Sequence, residues 1–265
     1  ASAQDMAGAA WALAKCGECD MRTLTAISQR ALSTMRSFEL LDVQKIAWAF
    51  AALRTMGDPT LFHALAAKAI SERAELSPQG ISNLAWAFAS LAVRSTDLVQ
   101  ALRAAAMSRP EAFTPQGLCN VAWAFATLAA DAPDLFAALG RAAAPHLPSF
   151  APQEICNLAW ALAKQGVCES EVFHAVMRES RRRMRSFSTL DLSNLAWAFA
   201  TSTSDESHEV LAAVAEAAME ASGDFSPSEL AMLMWAFAAV SARSEPLLTV
   251  FARTATTNVQ NFLGA

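Results

Sequence analysis

Apolar residues recur along this chain in one phrase. The run Asn83-Leu-Ala-Trp-Ala-Phe-Ala89 returns letter for letter at residues 194–200, and every tryptophan (Trp11, Trp48, Trp86, Trp123, Trp160, Trp197, Trp235) sits in a version of it. The steps between tryptophans are 37, 38, 37, 37, 37 and 38 residues. Large apolar residues stand five and two places before Trp and two after it in all but the first unit, where Ala9 takes the −2 place. At about 100° per residue they fall near 220°, 160° and 200°, one helical stripe. Ile81, Leu84 and Phe88 form it in the third unit. Alanines at −1 and +3 leave a thin flank where a second helix can approach. The indole projects from the opposite side, so this helix is apolar nearly all round, and Trp is expected to be core. On that expectation an interior Trp→Ala change, such as Trp123→Ala, costs about 3–5 kcal/mol.

The polar positions mark where the helix starts. Ten residues before Trp stands an apolar residue: Phe38, Leu76, Phe113, Phe150, Phe187 or Phe225. Ser77, Thr114, Ser188 or Ser226 follows, and Pro78, Pro115, Pro152 or Pro227 comes next. Ser or Thr then Pro reads as N-cap and N1. Ser226-Pro-Ser-Glu229 fits a capping box, and Ser188-Thr-Leu-Asp191 is a looser version. The preceding Phe occupies a staple position. Gly17, Gly57 and Gly166 are available as helix stops. A second helix carries apolar residues at i, i+1 and i+4, from Leu61-Phe62 and Leu65 to Leu247-Leu248 and Phe251. No strand-like alternation occurs.

The unit is therefore helix A, turn, helix B, linker. One hairpin cannot bury its apolar faces alone, whereas stacked hairpins can. The expected fold is an all-α, right-handed α-solenoid of about seven 37–38-residue helical hairpins, about fourteen helices. It forms a single solenoid over 1–265 with repeats 1–36, 37–74, 75–111, 112–148, 149–185, 186–223 and 224–265.

Composition changes this picture in two ways. Charged residues are only 17% of the chain, against roughly 25% in an average soluble domain. A surface so poor in charge suits one covered by partners. The net charge of −5 argues against a generic polyanion binder. Five cysteines, an odd number, do not suggest a disulfide framework and fit a reduced intracellular or organellar compartment. The uncharged runs Leu76–Val93 and Phe113–Ala130 contain Pro, Gln and Asn, and their apolar parts are too short to span a bilayer. The chain opens at Ala1 inside a repeat, which points to a processed chain or a fragment.

The pattern Phe-Ser-Pro-Gln-x-Leu-x-Asn-Leu-Ala-Trp-Ala-Phe-Ala is similar to the 38-residue octotricopeptide repeats of algal organelles. It also resembles the 37-residue heptatricopeptide repeats of protist organellar proteins and the helical-repeat subunits of mitochondrial RNA-editing substrate-binding complexes. The resemblance covers essentially the whole chain. It implies RNA binding in a mitochondrion or plastid, in RNA processing, stability, translation or ribosome assembly. The departures are Gly8, Lys45 and Met232 where Asn is usual, and Leu13 for Phe. Such families often carry a nuclease-like module after the repeats, and none is visible within these residues.

A ligand face follows from the helix phase. Asn83, Asn120, Asn157 and Asn194 lie three before Trp. Gln79, Gln116 and Gln153 lie seven before, and Ser90, Thr127, Lys164 and Thr201 four after. All share the Trp side of helix A. They read either as a stripe that contacts the bases of single-stranded RNA, or, for the Asn row, as amides bonded to the backbone of the next repeat. The variable positions four after and six before Trp (Asp5, Asp42, Gly80, Gly117, Glu154, Asp191, Glu229) are candidates for base specificity. The tryptophans are alternatively stacking platforms.

Arg178, Arg181, Arg182 and Arg185, with Arg183 among them, share a face of one helix B. They read as a phosphate contact or as charges favourably placed at a helix C-terminus. Cys16-Gly-Glu-Cys19 is a lone CxxC without the second pair a structural zinc needs, so no metal or other cofactor is expected. His63, His146, His174 and His208 pair with no plausible nucleophile, and no catalytic residue is assigned. The reading is a non-catalytic RNA or ribonucleoprotein binder in an organelle. Its rival is a protein–protein scaffold or accessory subunit of a large organellar assembly, which the acidic balance and apolar surface favour.

Overall fold

Each helix A begins where its sequence first satisfies the exposed N–H groups of a helix start. In the computed structural model, which describes residues 2–18, 20–202, 205–221 and 225–240, the Ser77 and Thr114 hydroxyls accept from the Gly80 and Gly117 N–H groups. Proline follows at N1 in both. Ser188–Asp191 and Ser226–Glu229 close complete capping boxes, and Ser2–Asp5 adds a third. The staple residues Phe38, Leu76, Phe113, Phe150, Phe187 and Phe225 are all buried.

The A helices are α1 (Ala3–Cys16), α3 (Leu40–Ala52), α5 (Pro78–Ser90), α7 (Pro115–Thr127), α9 (Pro152–Lys164), α11 (Thr189–Ala200) and α13 (Pro227–Ala239). The B helices are α2 (Met21–Thr34), α4 (Leu61–Ser71), α6 (Thr96–Met107), α8 (Pro133–Ala143), α10 (Glu171–Arg182) and α12 (Asp205–Glu220). Among the described residues there are thirteen α-helices and no strand. The B helix expected around Leu247 and Phe251 lies outside them.

Two features differ from the sequence expectation. First, the residue that ends helix A is the sixth after Trp in five repeats: Gly17, Arg54, Ala92, Ala129 and Gly166, all with φ between 52° and 71°. Gly57 is also left-handed but lies three residues past the stop. The stop is thus a positional device, a left-handed residue whose neighbours return to the last turn, as in Thr55 N–H to Phe50 O, 3.0 Å. Glycine is favoured there but not required. Second, a 3-10 turn follows most B helices, at Met35–Ser37, Arg73–Glu75, Pro110–Ala112, Ala144–Ser149 and Met184–Ser186. An arginine closes two of these hairpins: Arg109 donates to Leu76 O at 2.8 Å and Arg183 to Phe150 O at 2.7 Å. Each bond ties the end of a repeat to its own beginning.

The contacts divide the chain into two compact units, Ala1–Leu139 and Gly140–Ala265, with the boundary inside α8. In the first, α1, α3, α5 and α7 pack side by side in one layer, with α2, α4 and α6 in a second. In the second, α9, α11 and α13 form the A layer, with α10 and α12 against it. A helices contact one another more extensively than B helices do, because alanines at −1 and +3 (Ala85, Ala89, Ala122, Ala126, Ala159, Ala163) are buried at the crossing. The fold is an α-solenoid of helical hairpins.

The core lies between the layers. The +2 aromatic is the central piece: Phe50, Phe88, Phe125 and Phe199 are at most 2% exposed. Phe88 meets Phe62 of α4 edge-on with centroids 5.1 Å apart, and Phe199 meets Phe173 of α10 at 5.8 Å. Cys119 and Cys156 are buried packing residues.

Candidate functional site

The tryptophans lie outside this core, contrary to the expectation for them. Their side of helix A is the one the +2 stripe does not use. Trp48, Trp86, Trp123, Trp160 and Trp197 are half-buried, while Trp11 and Trp235 are 44% and 50% exposed. Five of them stand within ring contact of a neighbouring indole. In the first unit Trp48 and Trp86 have centroids 6.5 Å apart at 30°. In the second, Trp160–Trp197 are 6.2 Å apart at 34° and Trp197–Trp235 6.5 Å at 26°. The second unit therefore carries three indoles in a row, Trp160, Trp197 and Trp235, and the first a pair, Trp48 and Trp86. The sequence signal was present: a helix with a complete aliphatic and Phe stripe has no need of a further core residue on the opposite side.

The amides sit beside these indoles. Asn83, Asn120 and Asn157 are half-buried, and among the described residues their carboxamides form no hydrogen bond. The alternative in which they bond the backbone of the next repeat is thus not what the structure shows for these three. Asn194 differs, since its carboxamide lies against the Cys156 sulfur. Burial pushes the Cys156 thiol far up, and Asp191 opposes its ionisation further. Gln79, Gln116 and Gln153 are exposed at the start of their helices. The equivalent places hold Leu41 and Leu190, exposed by 56% and 52%, which the sequence reading passed over.

The positions four after Trp divide. Ser90, Lys164 and Thr201 are exposed and Thr127 is half-buried. The Thr201 hydroxyl donates to Ala198 O at 2.7 Å and lies 3.5 Å from Cys168 Sγ, and Thr127 Oγ1 is buried with no partner. Lys15 shows how far this position reaches, its ammonium standing 5.6 Å from the Trp11 ring and 5.0 Å from the Trp48 ring.

The positions six before Trp have a structural role. Asp5, Asp42, Glu154, Asp191 and Glu229 each accept the N–H of their own N-cap residue, at 2.8, 3.3, 2.7, 3.1 and 2.7 Å. Bonds from Ser2 hold the Asp5 carboxyl below its ordinary value. The spacing from N-cap to N3 could have assigned this row from sequence. Its acids neutralise helix starts, which leaves Lys15, Lys45 and Lys164 on the Trp side free of ion pairs among the described residues.

The arginine cluster is placed elsewhere, on the B layer of the second unit. Arg178 reaches Glu206 at 3.6 Å, Arg181 pairs with Glu209, Arg182 with Glu179 at 2.8 Å, and Arg185 with Glu220 at 2.8 Å. His174 Nδ1 stands 2.7 Å from Glu206. Arg181, Arg182, Arg183 and Arg185 line a cavity of about 520 Å³ facing Glu216 and Glu220 of α12. The structure does not bring these side chains together with the Asn and Trp rows. Among the described residues no three His, Cys, Asp or Glu gather as a metal site, and no helix is long and apolar enough to cross a membrane. Cys19 lies outside the described residues.

Stacked hairpins around a repeated A-helix phrase define a helical-repeat protein. The chain belongs to the RNA-editing substrate-binding complex 6 protein family, whose model matches residues 2–245. No curated protein matches it.

Proposed function

We propose that this chain is a non-catalytic RNA-binding subunit of an RNA-editing substrate-binding complex in the mitochondrion, built from repeats of the octotricopeptide/heptatricopeptide type. The observation that carries the reading is the trio of unpaired carboxamides, Asn83, Asn120 and Asn157, each three residues from a half-buried indole. A half-buried amide with no internal partner can exchange its water for a ligand's matching edge at a net gain of about 1 kcal/mol. A base stacked on an indole contributes about 1–3 kcal/mol and presents its edge to such an amide. Family membership supports the same reading.

Filter binding of random-sequence single-stranded RNA over a salt series tests it. With Lys15 and Lys45 as the cations on the Trp side of the first unit and Lys164 on that of the second, log affinity falls with log salt at a slope no steeper than about −2. No binding at low salt overturns the proposal. That outcome favours the second reading, a protein scaffold, for which the exposed Leu41 and Leu190 and the net charge of −5 speak.

A further inference from the structure

Three A helices present the same side chains on the Trp side: Gln79, Asn83 and Trp86 on α5; Gln116, Asn120 and Trp123 on α7; Gln153, Asn157 and Trp160 on α9. Each set is carried by a single helix, so its internal spacing is fixed by helix geometry alone. Seven, three and zero places before the indole project within about 60° of one another. The Gln is exposed, the Asn half-buried and unbonded, and the indole half-buried. Identical sets select the same chemical partner each time.

We infer that this partner is adenine, and that the chain prefers adenine-rich single-stranded RNA. The inference rests on the RNA-binding reading above. A carboxamide offers an N–H donor beside a C=O acceptor. Adenine matches it with the N6 amino donor beside the N7 acceptor, a two-bond pairing open on an unpaired strand. Guanine shows two acceptors, O6 and N7, on the same edge and calls for Arg or Lys. No cation stands at the −7 or −3 place of these three helices. Cytosine and uracil can also pair with an amide, but each offers the indole a single ring where adenine offers two. Shared stacking and pairing therefore favour adenine. Lys45 and Leu41 on α3, and Leu190 on α11, break the set and are not expected to read the same base.

The test is competition among oligoadenylate, oligouridylate and oligocytidylate of equal length for the full chain, repeated with Asn83→Ala/Asn120→Ala/Asn157→Ala. Oligoadenylate is expected to bind roughly tenfold tighter than either pyrimidine strand. In the triple variant oligoadenylate affinity falls roughly tenfold, pyrimidine affinity falls with it to a smaller extent, and the adenylate advantage narrows to the share that stacking alone supplies, while the melting transition stays in place because these amides hold no internal bond. Equal binding of the three, a pyrimidine preference, or an oligoadenylate affinity that the triple substitution leaves unchanged overturns the inference and leaves the RNA-binding reading standing. Binding of none overturns both.

Discussion

Replacing Phe88 by alanine separates the packing role of the +2 aromatic from the surface role of the tryptophan. Phe88 is 2% exposed and its ring meets fully buried Phe62 edge-on at 5.1 Å, joining α5 to the B helix of the preceding repeat. Truncation opens a closed cavity between helices that are fixed on both sides, so the cost is about 3–5 kcal/mol. Trp86 has the larger side chain, yet it lies half-buried against Trp48 on the outer face. Solvent fills the space it leaves. Only part of its transfer energy is lost, about 2 kcal/mol. With a urea slope of about 3 kcal/mol per molar, the midpoint falls by roughly 1–1.7 M for Phe88→Ala and by about 0.7 M for Trp86→Ala. Far-ultraviolet circular dichroism follows both melts. A Trp86 variant as destabilised as the Phe88 variant, or more so, refutes the assignment of the indoles to the surface.

Three further outcomes follow from local geometry. Ala92→Gly and Ala129→Gly, at exposed left-handed helix stops with φ of 54° and 52°, each raise stability by about 0.5–1 kcal/mol in the same melts. In the folded chain iodoacetamide alkylates exposed Cys16, while buried Cys156, whose thiol is held protonated, stays unmodified at neutral pH until urea unfolds it; peptide mass mapping reads this. Asp20 and Asp58 have carboxyls held below the ordinary 3.8 by bonds from Thr23 and Thr60. Their stabilisation is therefore complete above that value and lost as pH falls through their lower folded values. Thermal melts of Asp20→Asn/Asp58→Asn converge with the parent at acid pH and lie below it at neutral pH.

Much of the fold was legible because it repeats. Fixed spacing around Trp gave the hairpin unit, and Ser77-Pro78, Thr114-Pro115 and Ser226-Pro227 gave the helix starts, since both signals act within a few residues. The stop at Arg54 was not legible. A left-handed residue is imposed there by the return of the chain to its own last turn, and nothing in the identity of Arg announces it. The site was half legible. Helix phase placed Asn83, Gln79 and Trp86 on one side, but a large apolar residue was assigned to the core, and only the packed neighbours show that the +2 Phe fills that space. The arginines of α10 were read by their own face. Their partners, Glu206, Glu209 and Glu220, come from the next B helix, a distance of about a repeat that local pattern does not encode.

All seven tryptophans belong to the repeated phrase, so intrinsic emission reports on the proposed contact surface alone. Titrating single-stranded RNA while recording tryptophan fluorescence, with filter binding in parallel, tests the central claim most directly. The account predicts saturable quenching that tracks the bound fraction. RNA that binds with the emission unchanged would place the contact away from the indoles and contradict it.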